Sequence, residues 1–270
     1  EGRGFTPRPE AHRSISGGAQ RPPKAHGGEI EMPEPLITLR DVSRVYRRGA
    51  DDVHALEHVS LTIEEGLFVA LMGPSGSGKS TLLNLLSGID RPSGGDVVVA
   101  GKRLNDLSED ELARWRSRHV GLIFQFYNLI PVLSALENVE LPLLLTSLDR
   151  RERLARARIA LDVVGLAARA RHLPAELSGG EQQRVAIARA IVTDPDLIIA
   201  DEPTGDLDAR NADEILRMLR ELSHDLQKTV VMVTHDRRAS EWVDLVFHLE
   251  KGVLCETFAG GAGKAPARPA

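Results

Sequence analysis

The feature that most narrows what this chain can fold into is the octapeptide Gly73-Pro74-Ser75-Gly76-Ser77-Gly78-Lys79-Ser80, which directly follows an apolar run at residues 67–72. It matches GxxxxGK(S/T), a turn whose glycines let main-chain N–H groups point inward around a phosphate. The helix that follows adds the positive end of its dipole. In such a loop Lys79 neutralises the β- and γ-phosphates, and the Ser80 hydroxyl ligates Mg2+. The apolar run reads as a central parallel strand with both faces covered. Residues 80–87 read as a helix closing at Gly88, a C′ glycine. Strand–helix alternation resumes at residues 197–200, 209–223, 230–234 and 246–249. That repetition implies an α/β fold with a mostly parallel sheet.

Two short alternating stretches, residues 36–39 and 59–63, read as half-buried antiparallel strands. From about Ser108 to Ala170 the chain turns charged and rich in Leu, Ala and Arg. Apolar side chains recur there at helical spacing over residues 150–168, so an inserted helical subdomain is expected at about 108–176. The globular domain is expected over residues 35–258. Residues 1–34 carry five prolines and almost no large apolar side chains. They cannot bury enough surface to offset their ordering entropy, and they read as a disordered N-terminal tail. Residues 259–270 read as a flexible C-terminal tail. A chain that begins at Glu1 rather than Met reads as a fragment or a processed form.

Composition excludes several classes. No stretch reaches the roughly 18 uninterrupted apolar residues of a membrane-crossing helix. Residues 1–34 also lack the apolar centre of a signal peptide. The net charge of -5 argues against a nucleic-acid binder held by bulk electrostatics, and no nucleic-acid partner is expected. The single cysteine, Cys255, cannot form an internal disulfide. It fits a reducing cytosol and a structural place near a C-terminal strand.

A phosphate-bound metal needs a second acidic element, and Leu197-Ile198-Ile199-Ala200-Asp201-Glu202 supplies one. Asp201 falls at a strand's C-terminal end, where open α/β sheets bind ligands, and is placed to support Mg2+. Glu202, one residue on, is placed to polarise an attacking water as general base. Between the phosphate loop and this strand lies Leu177-Ser178-Gly179-Gly180-Glu181-Gln182-Gln183-Arg184. Ser178 and Glu181 form a capping box that opens an apolar-periodic helix. Such a terminus presents free N–H groups to an anion, and the spacing does not say which.

Together these segments resemble the ATP-binding cassette (ABC) ATPases, whose LSGGQ signature stands here as LSGGE, and the resemblance spans about residues 35–257. It implies a P-loop NTPase domain with an antiparallel β subdomain, a mostly parallel core sheet and an inserted helical subdomain. It also implies that Gly73, Pro74, Ser75, Gly76, Ser77, Gly78, Lys79, Ser80 and Thr81 hold ATP. Tyr46, upstream, matches an aromatic that stacks on adenine. Gln125, in Ile123-Phe124-Gln125-Phe126, matches the glutamine that senses Mg2+ and the attacking water. It joins Ser80 and Asp201 at the metal. His235, in Val233-Thr234-His235-Asp236, matches the histidine that contacts the γ-phosphate, so Lys79, Gln125, Glu202 and His235 form the implied catalytic set. Gly205-Asp206-Leu207-Asp208 matches the loop that crosses a dimer interface, with Asp208 at the nucleotide. In the family two copies meet head to tail, with ATP between one phosphate loop and Ser178, Gly179 and Gly180 of the other. His119 and His172 match no motif and read as surface or packing residues.

Residues 126–143 are similar to the branch that handles lipoprotein release and macrolide-type export. That similarity implies a subunit energising export or extraction through a separate transmembrane permease, held on the cytoplasmic face of the inner or plasma membrane. The rival is a regulatory ABC ATPase of the cell-division type, which signals through a membrane partner without transport. Soluble repair and translation members are set apart by the missing coiled coil between Ser80 and Leu177 and by the single cassette.

Overall fold

The computed structural model describes residues 35–49 and 51–259. The expected tail at 1–34 and the expected C-terminal tail from residue 260 onward lie outside these. Ala259, counted with that tail from the sequence, is the last residue of a strand.

Strand β1 (Ile37–Arg48) pairs antiparallel with β2 (Asp51–Ile63), placing Ile37 opposite Ile63 and Tyr46 opposite Val53. After β3 (Phe68–Met72) come α1 (Lys79–Leu86), β4 (Gly94–Val99) and β5 (Lys102–Arg103). Then follow α2 (Glu109–His119), β6 (Val120–Phe124), α3 (Ala135–Glu140), α4 (Arg150–Val163) and α5 (Gly179–Ile191). The chain finishes with β7 (Leu197–Asp201), α6 (Ala209–His224), β8 (Thr229–Val233), β9 (Leu245–Glu250) and β10 (Val253–Ala259). A four-stranded antiparallel sheet has the order β2-β1-β4-β5, and a six-stranded sheet the order β10-β9-β3-β8-β7-β6. The second sheet is parallel except at β10.

The alternation of side chains along a strand divides the interior into two clusters. Phe68 and Ala70 of β3 join Val185, Ile187, Ile215 and Leu219 beneath α5 and α6. Val69 and Leu71 join Leu82, Leu86 and the inner face of the antiparallel sheet. Helix α1 ends in the expected C′ glycine. Gly88 has φ +64° and donates to the Leu85 carbonyl at 3.1 Å, while Ile89 donates to that of Asn84 at 2.9 Å. That pair of bonds satisfies two orphan carbonyls and reverses the chain.

The region expected to be helical from about 108 to 176 is divided. Helix α2 packs Leu112 and Trp115 into the cluster shared with the antiparallel sheet, and β6 is the edge strand beside β7. Strand β6 follows His119 with no intervening turn residue, so the helical signal on either side hid it. At Gly121 the strand runs directly against α5, where a Cβ would stand 2.4 Å from the Ala190 carbonyl oxygen. Helical elements free of the sheet begin only beyond Phe124.

Helix α6 buries Ala212, Ile215, Leu216, Leu219 and Leu222, a continuous stripe at three- and four-residue spacing. Leu219 is wholly buried. Leu219→Ala is expected to destabilise the chain by about 2–5 kcal/mol, the usual range for an unfilled core cavity. Urea unfolding at constant m-value measures it, and an unchanged midpoint would mean that α6 is not packed this way.

Candidate functional site

The order β3-β8-β7-β6 places four loops side by side at the strands' C-terminal ends. The phosphate loop follows β3, Thr234 and His235 follow β8, Glu202 follows Asp201 at the end of β7, and Gln125 follows β6. Register alignment is close, with Asp201 paired to Val233 on one side and to Phe124 on the other. This is the crevice where open parallel sheets hold ligands.

In the phosphate loop Gly78 has φ +99°, and a Cβ there would stand 2.3 Å from the Ala55 carbonyl oxygen of β2. Only glycine tolerates both conditions. Lys79 Nζ donates to the carbonyls of Gly73 at 2.9 Å and Pro74 at 2.8 Å, which holds the ammonium inside its own loop. Ser77 is buried with an unpartnered hydroxyl oxygen, while Pro74, Ser75, Gly76 and Ser80 face solvent and Thr81 is half-buried. Ser80 and Asp201 line one small cleft between α1 and the end of β7. Burial pushes the Asp201 carboxyl above its usual range, and the neighbouring Glu202 adds to the effect, with Lys79 opposing it.

Glu202 sits at φ +48°, a region that non-glycine side chains rarely adopt. Two bonds fix it there, from its N–H to the Val233 carbonyl at 3.0 Å and from the Gly205 N–H to its own carbonyl at 3.0 Å. Its Oε1 lies 2.9 Å from His235 Nδ1. The hydrogen bond to Glu202, followed by that group's charge, holds the His235 imidazole above its ordinary pKa. Glu202, Gly205, Thr234 and His235 line an open cleft of about 370 Å3. Gln125 packs against Gly205, its Nε2 lying 3.0 Å from where a Cβ on Gly205 would stand.

Tyr46 lies on β1 across from β2, whose Ala55 touches the phosphate loop. Its hydroxyl donates to Asp90 Oδ2 at 2.6 Å. The Arg44 guanidinium lies 4.4 Å above the ring centre and also donates to Asp90 at 3.0 Å. One ring face is therefore covered by a cation and the phenol is pinned. Arg44 and Asp90 carry no motif, and sequence reading gave no sign of this arrangement.

Ser178 caps α5 through the expected box, its hydroxyl accepting from the Glu181 N–H at 3.3 Å. This terminus does not join the phosphate loop of its own chain. Gly179 lies against Tyr127 and Leu207, and Gly180 against Asn211. Asp208 caps α6 by accepting from the Asn211 N–H at 2.9 Å. The buried Gln183 donates to the Pro203 carbonyl at 2.7 Å, a link from α5 to the Glu202 turn that the motif alone does not reveal. His119, set aside from sequence, bonds Asp196 at 2.6 Å away from these groups.

Residues 56–205 match the model of the ABC transporter family. The chain is 47% identical over 223 residues to the lipoprotein-releasing system ATP-binding protein LolD of Chromohalobacter salexigens, covering 83% of this chain and 94% of that one. It is 50% identical to the macrolide export ATP-binding/permease protein MacB of Rhodopseudomonas palustris, covering 83% of this chain and about a third (34%) of that longer one. The dimeric post-hydrolysis structure of the ATP-binding cassette MJ0796 bound to ADP and Pi is similar with a TM-score of 0.76 and 42% identity. That match covers 83% of this chain and 98% of the other. Among the described residues no helix is long and apolar enough to cross a membrane.

The His235–Glu202 contact has a checkable sign. Because the imidazole pKa is raised, the imidazolium and its charge-assisted bond to Glu202 are lost as pH rises through the His235 value. An NMR titration of His235 is expected to show a midpoint above that of an ordinary imidazole, returning to it in Glu202→Gln. A midpoint that stays raised in the variant would exclude Glu202 as the cause.

Proposed function

Because this chain belongs to the ABC transporter family, we propose that it is the ATP-hydrolysing subunit that energises export or extraction of a substrate through a separate membrane permease. Two copies act together, as in the dimeric cassette it is similar to. The observation that carries this reading is the row of loops at one sheet edge, in which a phosphate-binding turn, an acidic strand end, a glutamine and a histidine converge.

In this reading ATP phosphates replace the Gly73 and Pro74 carbonyls as partners of Lys79, and adenine stacks on the Tyr46 face that Arg44 leaves open. The residues also fit a divalent cation. Ser80 and Asp201 share a cleft, and the raised Asp201 carboxyl marks unfavourable negative charge that a cation relieves. Ser80, Asp201 and Gln125 would hold it. Bound Mg2+ supplies charge neutralisation at the phosphate oxygens. Glu202 takes a proton from water as the water oxygen attacks the γ-phosphorus, and the bond to the bridging oxygen breaks to leave ADP and phosphate. His235 holds Glu202 through Nδ1, which leaves Nε2 free for the γ-phosphate. Ser178, Gly179, Gly180 and Asp208 serve the partner copy's nucleotide.

The permease surface is read from exposed apolar side chains. Phe126, Val132 and Leu145 are 69%, 78% and 79% exposed. They lie just past β6 and in the segment leading to α4. Exposed apolar side chains in this segment support a protein interface, and a permease seated there holds the chain at the membrane's cytoplasmic face. The similarity to lipoprotein-releasing and macrolide-export proteins favours transport over signalling of the cell-division type.

Glu202→Gln is expected to lower turnover about 10²–10⁴-fold while retaining ATP and trapping a dimer on size exclusion. Lys79→Ala is expected instead to weaken ATP binding about tenfold or more. Glu202→Gln turning over at the wild-type rate would remove it as the base. Affinity purification of the tagged chain from its host is expected to bring down a permease with a large extracytoplasmic domain. A partner that recruits wall hydrolases would overturn the transport reading and leave the ATPase intact.

A further inference from the structure

Two non-glycine residues in the left-handed region follow Gln125. Tyr127 and Asn128 have φ +57° and +49°, and a tyrosine in that conformation persists only where its surroundings fix it. The fixing group is Arg189, in the last turn of α5. Its terminal nitrogens donate to the Asn128 carbonyl at 2.6 Å and the Tyr127 carbonyl at 2.7 Å. The guanidinium is half-buried, and burial pushes its pKa down. A cation is thus held partly out of water to bind main-chain oxygens, an arrangement with an energetic penalty that packing alone does not call for.

A second tie joins the same two elements. The Tyr127 hydroxyl lies 2.9 Å from where a Cβ on Gly179 would stand, so the phenol rests on the first turn of α5. One helix therefore holds the loop after Gln125 near both of its ends. Arg189 also lines a groove with Arg116, Leu122, Phe124, Asn128 and Leu145. Leu145, one of the exposed apolar side chains assigned above to the permease, lines that groove.

We propose that Arg189 is a positioning residue that locks the Gln125 loop to the Ser178–Gly180 helix, so that a permease segment seated in the groove moves both nucleotide-facing segments as one unit. The permease half of this inference rests on the docking surface given under the proposed function. The lock itself rests on the two ties alone. Arg189 touches neither the phosphate loop nor the acidic strand end in this arrangement, and its effect passes through Tyr127, Asn128 and α5.

The test compares wild type, Arg189→Gln, Arg189→Lys and Tyr127→Phe as the full chain alone and in complex with its permease in liposomes. In the isolated chain Arg189→Gln is expected to speed amide exchange over residues 126–129 about tenfold or more, as for release of a locally held segment. In the complex it is expected to cut permease stimulation of ATP turnover by about 2- to 30-fold, with basal turnover nearly unchanged and partial rescue in Arg189→Lys. Tyr127→Phe, which keeps the guanidinium, is expected to show a smaller loss of the same kind. Proportional loss of basal and stimulated turnover, the signature of a packing role, would overturn the proposal. Unchanged exchange over 126–129 would do the same. A wild-type complex whose turnover ignores the permease would overturn the docking reading, while exchange in the isolated chain would still decide the lock.

Discussion

A triphosphate can be held at neutral pH only where N–H groups and fixed cations converge faster than water can compete for them, and the turn from β3 to α1 is built around that constraint. Glycine is required at residue 78 because the Ala55 carbonyl occupies the place where a Cβ would stand. The antiparallel sheet that carries Ala55 is therefore part of the phosphate site and also covers the core. That same sheet carries Tyr46, pinned by Asp90 in the turn that follows α1. A single helix thus ties the phosphate end of the site to the ring proposed for the base.

The acidic side of the crevice is held in tension. Asp201 and Glu202 are adjacent carboxylates at a strand end, Asp201 is partly desolvated, and Glu202 has a left-handed backbone. Each condition disfavours the free chain. The compensating contacts come from elements that converge there: the Val233 carbonyl, the Gly205 N–H and the His235 imidazole at Glu202, and the Lys79 charge at Asp201. A cation and a nucleotide would relieve the charge, so ligand binding and local stability are linked at this point.

How legible the site was depended on how local each signal is. The phosphate loop, the Asp201-Glu202 strand end and the Ser178–Glu181 cap are each written in one short segment, and the geometry of each appears in the fold. Strand β6 was missed because its periodicity is too short to interrupt the helical pattern around it, and only pairing with β7 defines it. The Arg44–Asp90 support of Tyr46, the Gln183–Pro203 bond and the Arg189 grip join residues far apart in the chain. No single-segment pattern can encode such contacts, since both partners must first be brought together by the sheet.

The placement of the α5 terminus argues for the paired arrangement on physical grounds. An N-terminus that opens on two glycines and presents free N–H groups is suited to an anion. Within one chain its neighbours are Tyr127, Leu207 and Asn211, and none of these is a phosphate group or belongs to the phosphate loop. On the proposed reading, the donors for one polyanion are divided between the phosphate loop and the α5 terminus, which do not meet within one chain. In the proposed head-to-tail pair one of each would meet a nucleotide, with the ligand's own charge as the attraction between two subunits that are each net acidic. On this view the bound nucleotide's charge is the contact that makes the pair, and the bridge is lost when phosphate leaves rather than when the bond is cleaved.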